Sequence, residues 1–210
     1  MAETSASIHY RVPRVDLGER ASPSEVYCAS RRHEFPRRER ASNGDSMIEE
    51  TKSLTWYFGY GSNMNRGIFE NRRGMRPVQE RTALLENYRL CFNLPIGRGE
   101  RGVANLEPHL GARTWGVLYL ITTEQSEHLD RTEGVSLGRY RRIPVSLIVD
   151  GDEQISAFTY QSVRVNWERK PSQRYIGLLI EGAVQHGLPA DYIVYLRRFE
   201  LAVDERLPKT

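Results

Sequence analysis

A short glycine-rich turn stands directly behind a strand-like segment and is the first feature that could do chemistry. Residues 56–64 read WYFGYGSNM, so two glycines and two small polar residues follow an aromatic run. Ser62 and Asn63 are favoured N-cap residues, and the next segment, 65–72, is compatible with a short helix. Such a turn offers unpaired backbone N–H groups and the positive end of a helix dipole. It therefore predicts an anion-binding site, although a plain capped turn gives the same pattern.

A carboxylate near the end of a predicted helix is the second feature. Thr122 and Gln125 have the spacing of a capping box, which predicts a short helix from there to about Arg131. Glu133, in the stretch DRTEGV, would then lie beyond the C-terminal end of that helix, where the dipole disfavours a negative charge. This environment suits a general base, whereas the plain alternative is an exposed loop glutamate.

Two tyrosines, Tyr140 in GRYRR and Tyr175 in PSQRY, could face a pocket, although tyrosine in a sheet or helix is more often a packing residue. The glycine-rich turn lacks the Gly-Lys-Ser/Thr ending of a Walker loop and the third glycine of a dinucleotide fingerprint. Two cysteines cannot close a four-ligand zinc site. We therefore expect neither metal nor cofactor, and no metal-ligand pairing is visible among the histidines His9, His33, His109, His128 and His186.

The elements that must position these residues follow from apolar alternation. Apolar residues on both faces of TWGVLYLIT predict a central, fully buried strand, whereas RGVANLE (101–107) reads as a short strand. A hairpin is predicted around the turn dipeptide Asp150-Gly151. The other strands are predicted in SLTWYF, where Leu54, Trp56 and Phe58 share one side, and in YRLCFNLP, where Tyr88, Leu90, Phe92 and Leu94 do.

Two helices close the chain. The first begins near Pro171 and Ser172 and ends at His186-Gly187, where Gly187 is a C-terminal cap. The second follows Pro189 and carries Ile193, Leu196 and Phe199 at helical spacing. Strands therefore come first and most helix comes last, which predicts the α+β class: a small, mixed, mostly antiparallel sheet or barrel with flanking helices.

The first part of the chain differs from the rest. Residues 1–53 have scattered apolar positions without helical or strand period, which predicts a disordered N-terminal extension. The basic cluster 31–40 within it reads as a solvated tail, because Glu34 and Glu39 dilute its charge. The net charge of +3 is too small to argue for nucleic acid, and no apolar stretch is long enough for a membrane span. We expect a reduced, cytoplasmic protein with no nucleic-acid or membrane partner.

Taken together, YGSNM, GVANLEP, WGVLYL, EGV followed by Gly-x-Tyr, and PSQRYIGLLIEGAVQHGLPADYIVYL resemble the γ-glutamylcyclotransferase family, which includes the AIG2-like proteins. The resemblance runs from about Tyr57 to Ala202 and implies one domain of that fold over 54–204. Such proteins are small mixed α/β barrels that release 5-oxoproline from γ-glutamyl compounds without a cofactor. The resemblance implies that Glu133 is the general acid/base and that the substrate is bound by Tyr60, Gly61, Ser62, Asn63, Tyr140 and Tyr175.

The resemblance leaves the substrate open. The variant YGSN resembles the branch that acts on γ-glutamyl amino acids, because the glutathione-specific and γ-glutamylamine branches tend to replace this asparagine. One alternative is an enzyme that removes a γ-glutamyl group from a biosynthetic intermediate. Another is a ligand-binding protein that keeps the fold without turnover. A small γ-glutamyl molecule is the expected partner, and a homodimer is expected by family analogy alone.

Overall fold

The computed structural model of the chain describes residues 53–203, so the predicted N-terminal extension and its basic cluster lie, apart from residue 53, outside the described part. None of the helices in the described part is both long and apolar enough to cross a membrane. The elements, in chain order, are β1 (Leu54–Gly59), a 3₁₀ turn (Ser62–Met64), a short π-helix (Gly67–Arg72), β2 (Gln79–Pro95), β3 (Gly102–Thr122), α1 (Thr123–Glu133), β4 (Arg141–Val149), β5 (Glu153–Gln161), α2 (Gln173–Gln185) and α3 (Ala190–Arg197).

The strands form a closed barrel in the order β1-β3-β2-β4-β5, which confirms the predicted α+β class. All neighbouring strands are antiparallel except β1 and β5, whose parallel pairing at Tyr57 and Phe158 closes the barrel. The predicted hairpin at Asp150-Gly151 is confirmed, since β4 and β5 pair from Arg141–Gln161 to Val149–Glu153. Both turn residues have positive φ, 39° and 93°, as such tight turns require.

The prediction of a short strand at 101–107 is wrong. That segment and TWGVLYLIT belong to one strand, β3, of 21 residues, because β2 is long enough to pair with both parts. The ladder shifts register between Glu86 and Tyr88, and such irregularities let the two long strands bend around the barrel. The central position of TWGVLYLIT is confirmed, because β3 pairs with both β1 and β2 and buries Val117, Leu118 and Tyr119 almost completely.

Local capping chemistry sets the helix ends. The capping box at the start of α1 is present: Thr122 Oγ1 accepts from Gln125 N–H at 3.2 Å and Thr122 N–H donates back to Gln125 Oε1 at 3.4 Å. α1 nevertheless extends two residues beyond the predicted Arg131 and ends at Glu133. Its C-cap is Gly134, whose φ of 69° places it in the left-handed region. The serine cap of α2 is at the predicted position, since Ser172 Oγ accepts from Tyr175 N–H at 3.2 Å.

The turn after β1 is built differently from the prediction. In the described structure no side chain caps the 3₁₀ turn, and neither Ser62 nor Asn63 is an N-cap. Asn65, just before the next element, accepts from Ile68 N–H through its Oδ1 at 3.2 Å. The short helix predicted within 65–72 is present as a π-helix, Gly67–Arg72. Side-chain oxygens beside a free N–H are interchangeable as caps, so the sequence pattern alone did not discriminate between them.

Candidate active site

One cavity of about 880 Å³ opens where the turn after β1, the C-terminus of α1, the N-terminus of α2 and the ends of β2 and β3 meet. Its volume lies within the range of roughly 300–1,000 Å³ that is typical of small-molecule sites. The folded chain brings all the candidate residues from the sequence into its wall: Tyr60, Gly61, Ser62, Asn63, Glu133, Tyr140 and Tyr175.

Glu133 is the last residue of α1, and its side chain is only 12% exposed. Its Oε1 atom accepts a hydrogen bond from Asn63 Nδ2 at 3.0 Å and pairs with Arg73 Nη2 at 2.9 Å. The prediction that Glu133 lies beyond the C-terminal end of this helix is wrong, because α1 continues two residues past Arg131 and Glu133 is its last residue. A cation and an amide hold it toward the cavity, beside the turn that follows β1.

Arg73 is a site residue that the sequence analysis missed. Its Nη1 donates to Thr132 Oγ1 at 2.6 Å, and its Nη2 contacts Glu133. The guanidinium therefore binds two side chains of the last turn of α1. Its Nε is buried without a hydrogen-bond partner in the described part of the chain. The stretch ENRRGMR reads as an ordinary charged surface, and nothing in it singles out one arginine.

Asn63 connects the turn to the carboxylate. Its Nδ2 donates to Tyr57 Oη at 2.7 Å as well as to Glu133, and its backbone carbonyl accepts from Tyr119 Oη at 3.1 Å. Burial, with the negative charge of Glu133, raises the pKa of Tyr57, so its hydroxyl stays neutral. Among the described residues the Asn63 Oδ1 atom has no partner, which leaves one buried acceptor free next to the cavity.

The peptide of Ala104, in the GVANLEP stretch, is held by the two predicted tyrosines. Tyr140 Oη donates to the Ala104 carbonyl at 2.8 Å, and Ala104 N–H donates to Tyr175 Oη at 3.2 Å. Burial raises the pKa of both phenols, so both are neutral near pH 7. Tyr140 therefore donates its proton to the backbone, whereas Tyr175 accepts a hydrogen bond from it. Gly61 permits this approach, because a Cβ on it would lie 3.1 Å from Ala104 Cβ and 3.4 Å from Tyr175 Oη.

Tyr60 and Ser62 occupy different positions in the wall. The Tyr60 hydroxyl donates to the carbonyl of Tyr160 at 2.6 Å, and the residue is only 5% exposed, so its side chain serves the barrel interior. Ser62 begins the 3₁₀ turn, where the first N–H groups have no partner within the turn itself. These N–H groups, rather than the Tyr60 hydroxyl, are the donors with which the turn could bind the predicted anion.

The cavity is electropositive. Its carboxylate and guanidinium groups are those of Glu133 and of the three arginines Arg72, Arg73 and Arg139, so positive charge exceeds negative charge within the described wall. Arg139 lies over the end of α1, with its Nε 3.9 Å from the position of a Cβ on Gly134. A site with this balance favours a ligand that carries carboxylates. In the described residues, no group of three or more His, Cys, Asp or Glu side chains could hold a metal ion.

Comparison with known proteins identifies relatives of this chain. The sequence model of the AIG2-like family matches residues 113–196. A γ-glutamylcyclotransferase of Bos taurus is 29% identical over 166 residues, which cover 77% of this chain and 82% of the relative. The γ-glutamylcyclotransferase of Mus musculus is 30% identical over 149 residues, or 69% of this chain and 78% of the relative.

A solved structure of a γ-glutamyl cyclotransferase has the same fold, with a TM-score of 0.65 at 24% identity; the match covers 74% of this chain and 92% of that structure. The barrel, its flanking helices and the sequence relatives agree with one another. The chain therefore belongs to the γ-glutamylcyclotransferase family of enzymes.

Proposed function

We propose that this enzyme releases 5-oxoproline and a free amine from γ-glutamyl amino acids. The observation that carries the proposal is the hydrogen bond between Glu133 and Asn63, which joins a largely buried carboxylate to the anion-binding turn inside one cavity. The names of the bovine and mouse relatives support the same reaction class.

In this proposal the glutamyl α-carboxylate binds at the turn after β1. The backbone N–H groups at Ser62 and Asn63 start a helical turn and can donate to an anion. Tyr175 adds a neutral hydroxyl that can donate to the carboxylate, because its contact with Ala104 N–H uses the oxygen as an acceptor. The excess positive charge of the lining helps to bind the carboxylate. The cavity then mainly has to fold the glutamyl chain so that its own amine faces its γ-carbonyl, a positioning effect worth up to several kcal/mol, roughly 7–11.

Glu133 moves the protons. The substrate α-amine titrates near pH 8, at about 7.7–8.0, so it is mostly an ammonium and must first give a proton to the carboxylate. Its nitrogen then attacks the γ-carbonyl carbon, and a C–N bond of the ring forms. As the old amide C–N bond breaks, the protonated Glu133 returns a proton to the leaving nitrogen, which departs as an amine. The ring nitrogen loses a second proton to become the lactam N–H, and this proton ends on the released amine in water.

Arg73 and the turn have supporting roles in this scheme. Arg73 fixes the carboxylate through its contacts with Glu133 and Thr132, so that one oxygen stays at the cavity surface. Backbone N–H groups lining the cavity, including any of the turn that the α-carboxylate does not use, can donate to the oxyanion that forms at the γ-carbonyl. Tyr140 keeps Ala104 in place, and Ala104 in turn positions Tyr175.

The test is a substrate panel scored for 5-oxoproline with the wild type, Glu133→Gln and Glu127→Gln. Glu127 is an exposed residue of the same helix that is not part of the cavity lining, so it is the matched control. We expect the Glu133→Gln protein to lose general acid–base catalysis, a rate loss of about 10²–10⁴-fold, while Glu127→Gln keeps wild-type rates. A folded Glu133→Gln protein with wild-type turnover would contradict the assignment.

The panel also separates the alternatives. It should contain γ-glutamyl dipeptides, glutathione, γ-glutamyl-lysine isopeptide and γ-glutamylated metabolites. Turnover restricted to γ-glutamylated metabolites would favour a biosynthetic deglutamylating enzyme. Calorimetric binding without any product would favour a ligand-binding protein and would contradict the proposed catalysis.

A further inference from the structure

We propose that the end of the cavity next to the β2–β3 hairpin is a subsite for a bulky apolar leaving group, so that the preferred substrates are γ-glutamyl derivatives of large apolar amines or amino acids. This inference rests on the proposed function and adds the chemical class of the part of the substrate that leaves. It concerns a part of the cavity wall to which the reaction scheme gives no role.

The two ends of the cavity differ in chemistry. Glu133, Arg73 and Asn63 form a charged and hydrogen-bonding wall beside the end of α1. A second group of lining side chains, from the β2–β3 hairpin and α2, is apolar: Leu94, Pro95, Ile96, Val103 and Leu178.

The apolar wall is continuous with the predicted substrate-binding residues. Leu94 and Val103 are paired across β2 and β3, and Val103 directly precedes Ala104, whose N–H contacts Tyr175. Leu178 lies one helical turn after Tyr175 on α2, so both side chains share one face of that helix. The wall therefore begins within one residue of the Tyr175 contact and extends toward the hairpin.

The chemistry of a γ-glutamyl substrate decides which part fits this wall. The glutamyl unit carries an ammonium, a carboxylate and an amide, and each loses hydrogen bonds with water when it is buried against hydrocarbon side chains. Only the substituent on the leaving nitrogen can present an extended hydrocarbon surface, and in a γ-glutamyl amino acid that surface is the side chain of the leaving amino acid. This hydrocarbon portion is therefore the part of the substrate that fits the apolar wall.

The volume of the cavity and the exposure of Ile96 also favour a large apolar leaving group. A cavity of about 880 Å³ lies toward the upper end of the range for drug-sized ligands, roughly 300–1,000 Å³, whereas a glutamyl unit is much smaller than such a ligand. Ile96 is 45% exposed at this wall, and covering it with an apolar ligand removes hydrocarbon from water. A small leaving group such as alanine would leave most of this surface uncovered.

The experiment compares kcat/KM for γ-glutamyl-leucine, γ-glutamyl-phenylalanine and γ-glutamyl-alanine in the wild type and in three variants. Ile96→Asn and Leu178→Asn make the wall polar. Val184→Asn is the matched control, because Val184 is a 59% exposed apolar residue of α2 that is not part of the cavity lining. Circular dichroism checks that all the variants fold.

We expect the wild type to prefer the leucine and phenylalanine compounds over the alanine compound by about tenfold or more, since each buried methylene contributes to binding. The ratio should fall toward one in Ile96→Asn and Leu178→Asn and should stay at the wild-type value in Val184→Asn. Equal kcat/KM for the three dipeptides in the wild type, or an unchanged ratio in both wall variants, would overturn the inference while leaving the proposed function intact. Absence of 5-oxoproline from every γ-glutamyl compound would instead refute the proposed function itself.

Discussion

Replacing Gly182 by alanine should destabilise the fold and impair the site, although alanine is the better helix former. Gly182 lies in α2, where this helix packs against the turn after β1. A Cβ at this position would lie 2.6 Å from the carbonyl carbon of Met64 and 2.7 Å from the amide nitrogen of Asn65. Both atoms are backbone atoms, so the clash cannot be relieved by turning a flexible side chain.

Gly177 provides a control for the size of the stability change expected at Gly182. Gly177 is in the same helix, and in the described structure nothing lies within 4 Å of a Cβ placed on it. Alanine there should stabilise the protein by about 0.5–1 kcal/mol through helix propensity alone. At Gly182 the same gain is opposed by overpacking of about 1–3 kcal/mol, so we expect a net loss of roughly 1–2 kcal/mol. For a chain of this size that loss corresponds to a fall in Tm of about 2–8 °C.

Thermal unfolding followed by circular dichroism measures the stability, and 5-oxoproline release measures the site. Displacement of Met64 moves the neighbouring Asn63 away from Glu133, so kcat/KM should fall by about 10–100-fold in Gly182→Ala and should be unchanged in Gly177→Ala. If the two alanine variants have the same Tm and the same activity, the close contact between α2 and the turn does not position the site, and the reasoning is refuted.

Two substitutions in the site and one labelling experiment in the core test three further predictions. Arg73→Gln removes the cation that holds Glu133, and the loss of a charged hydrogen bond of about 1.5–3 kcal/mol should lower kcat/KM by about 10–150-fold. Tyr175→Phe deletes the hydroxyl proposed to bind the substrate carboxylate and should raise KM by about tenfold, measured by initial rates. Burial raises the pKa of Cys91 to about 12 from 9.0, so its thiolate appears only as the pH rises through about 12. At pH 8, iodoacetamide should therefore label Cys91 about a thousandfold more slowly in the native protein than in guanidinium, as followed by mass spectrometry.

Each of these results has a control or an opposing outcome. Arg131→Gln removes an exposed arginine of α1 that is not part of the cavity lining, so equal kcat/KM for this variant and Arg73→Gln would show that the Arg73 contact is dispensable. An unchanged KM in Tyr175→Phe would remove Tyr175 from substrate binding. Rapid native labelling of Cys91 would mean that the strand opens far more readily than its burial indicates.

Most of the candidate site could be anticipated because its residues sit in short stretches with recognisable chemistry. The glycine-rich turn, the EGV glutamate and the PSQRY tyrosine were each named from a few adjacent residues, and all of them line one cavity. Arg73 could not be anticipated, because its role depends on a contact with a residue far along the chain. The apolar wall could not be predicted for the same reason. In the sequence Leu94 and Leu178 have the pattern of ordinary core residues, and only the folded chain places them in the cavity lining.

The sequence by itself determined the features that depend only on neighbouring residues. These are the capping box at Thr122, the serine cap at Ser172 and the positive-φ turn at Asp150-Gly151. These features need only side-chain oxygens, amide groups and backbone torsions within a few residues of one another. Tertiary structure decided everything that requires barrel closure. Pairing with a long β2 joined two predicted strands into one β3, and the barrel brought Arg73 and Asn63 to the same carboxylate. Such contacts depend on the register and packing of distant segments, which no local pattern encodes.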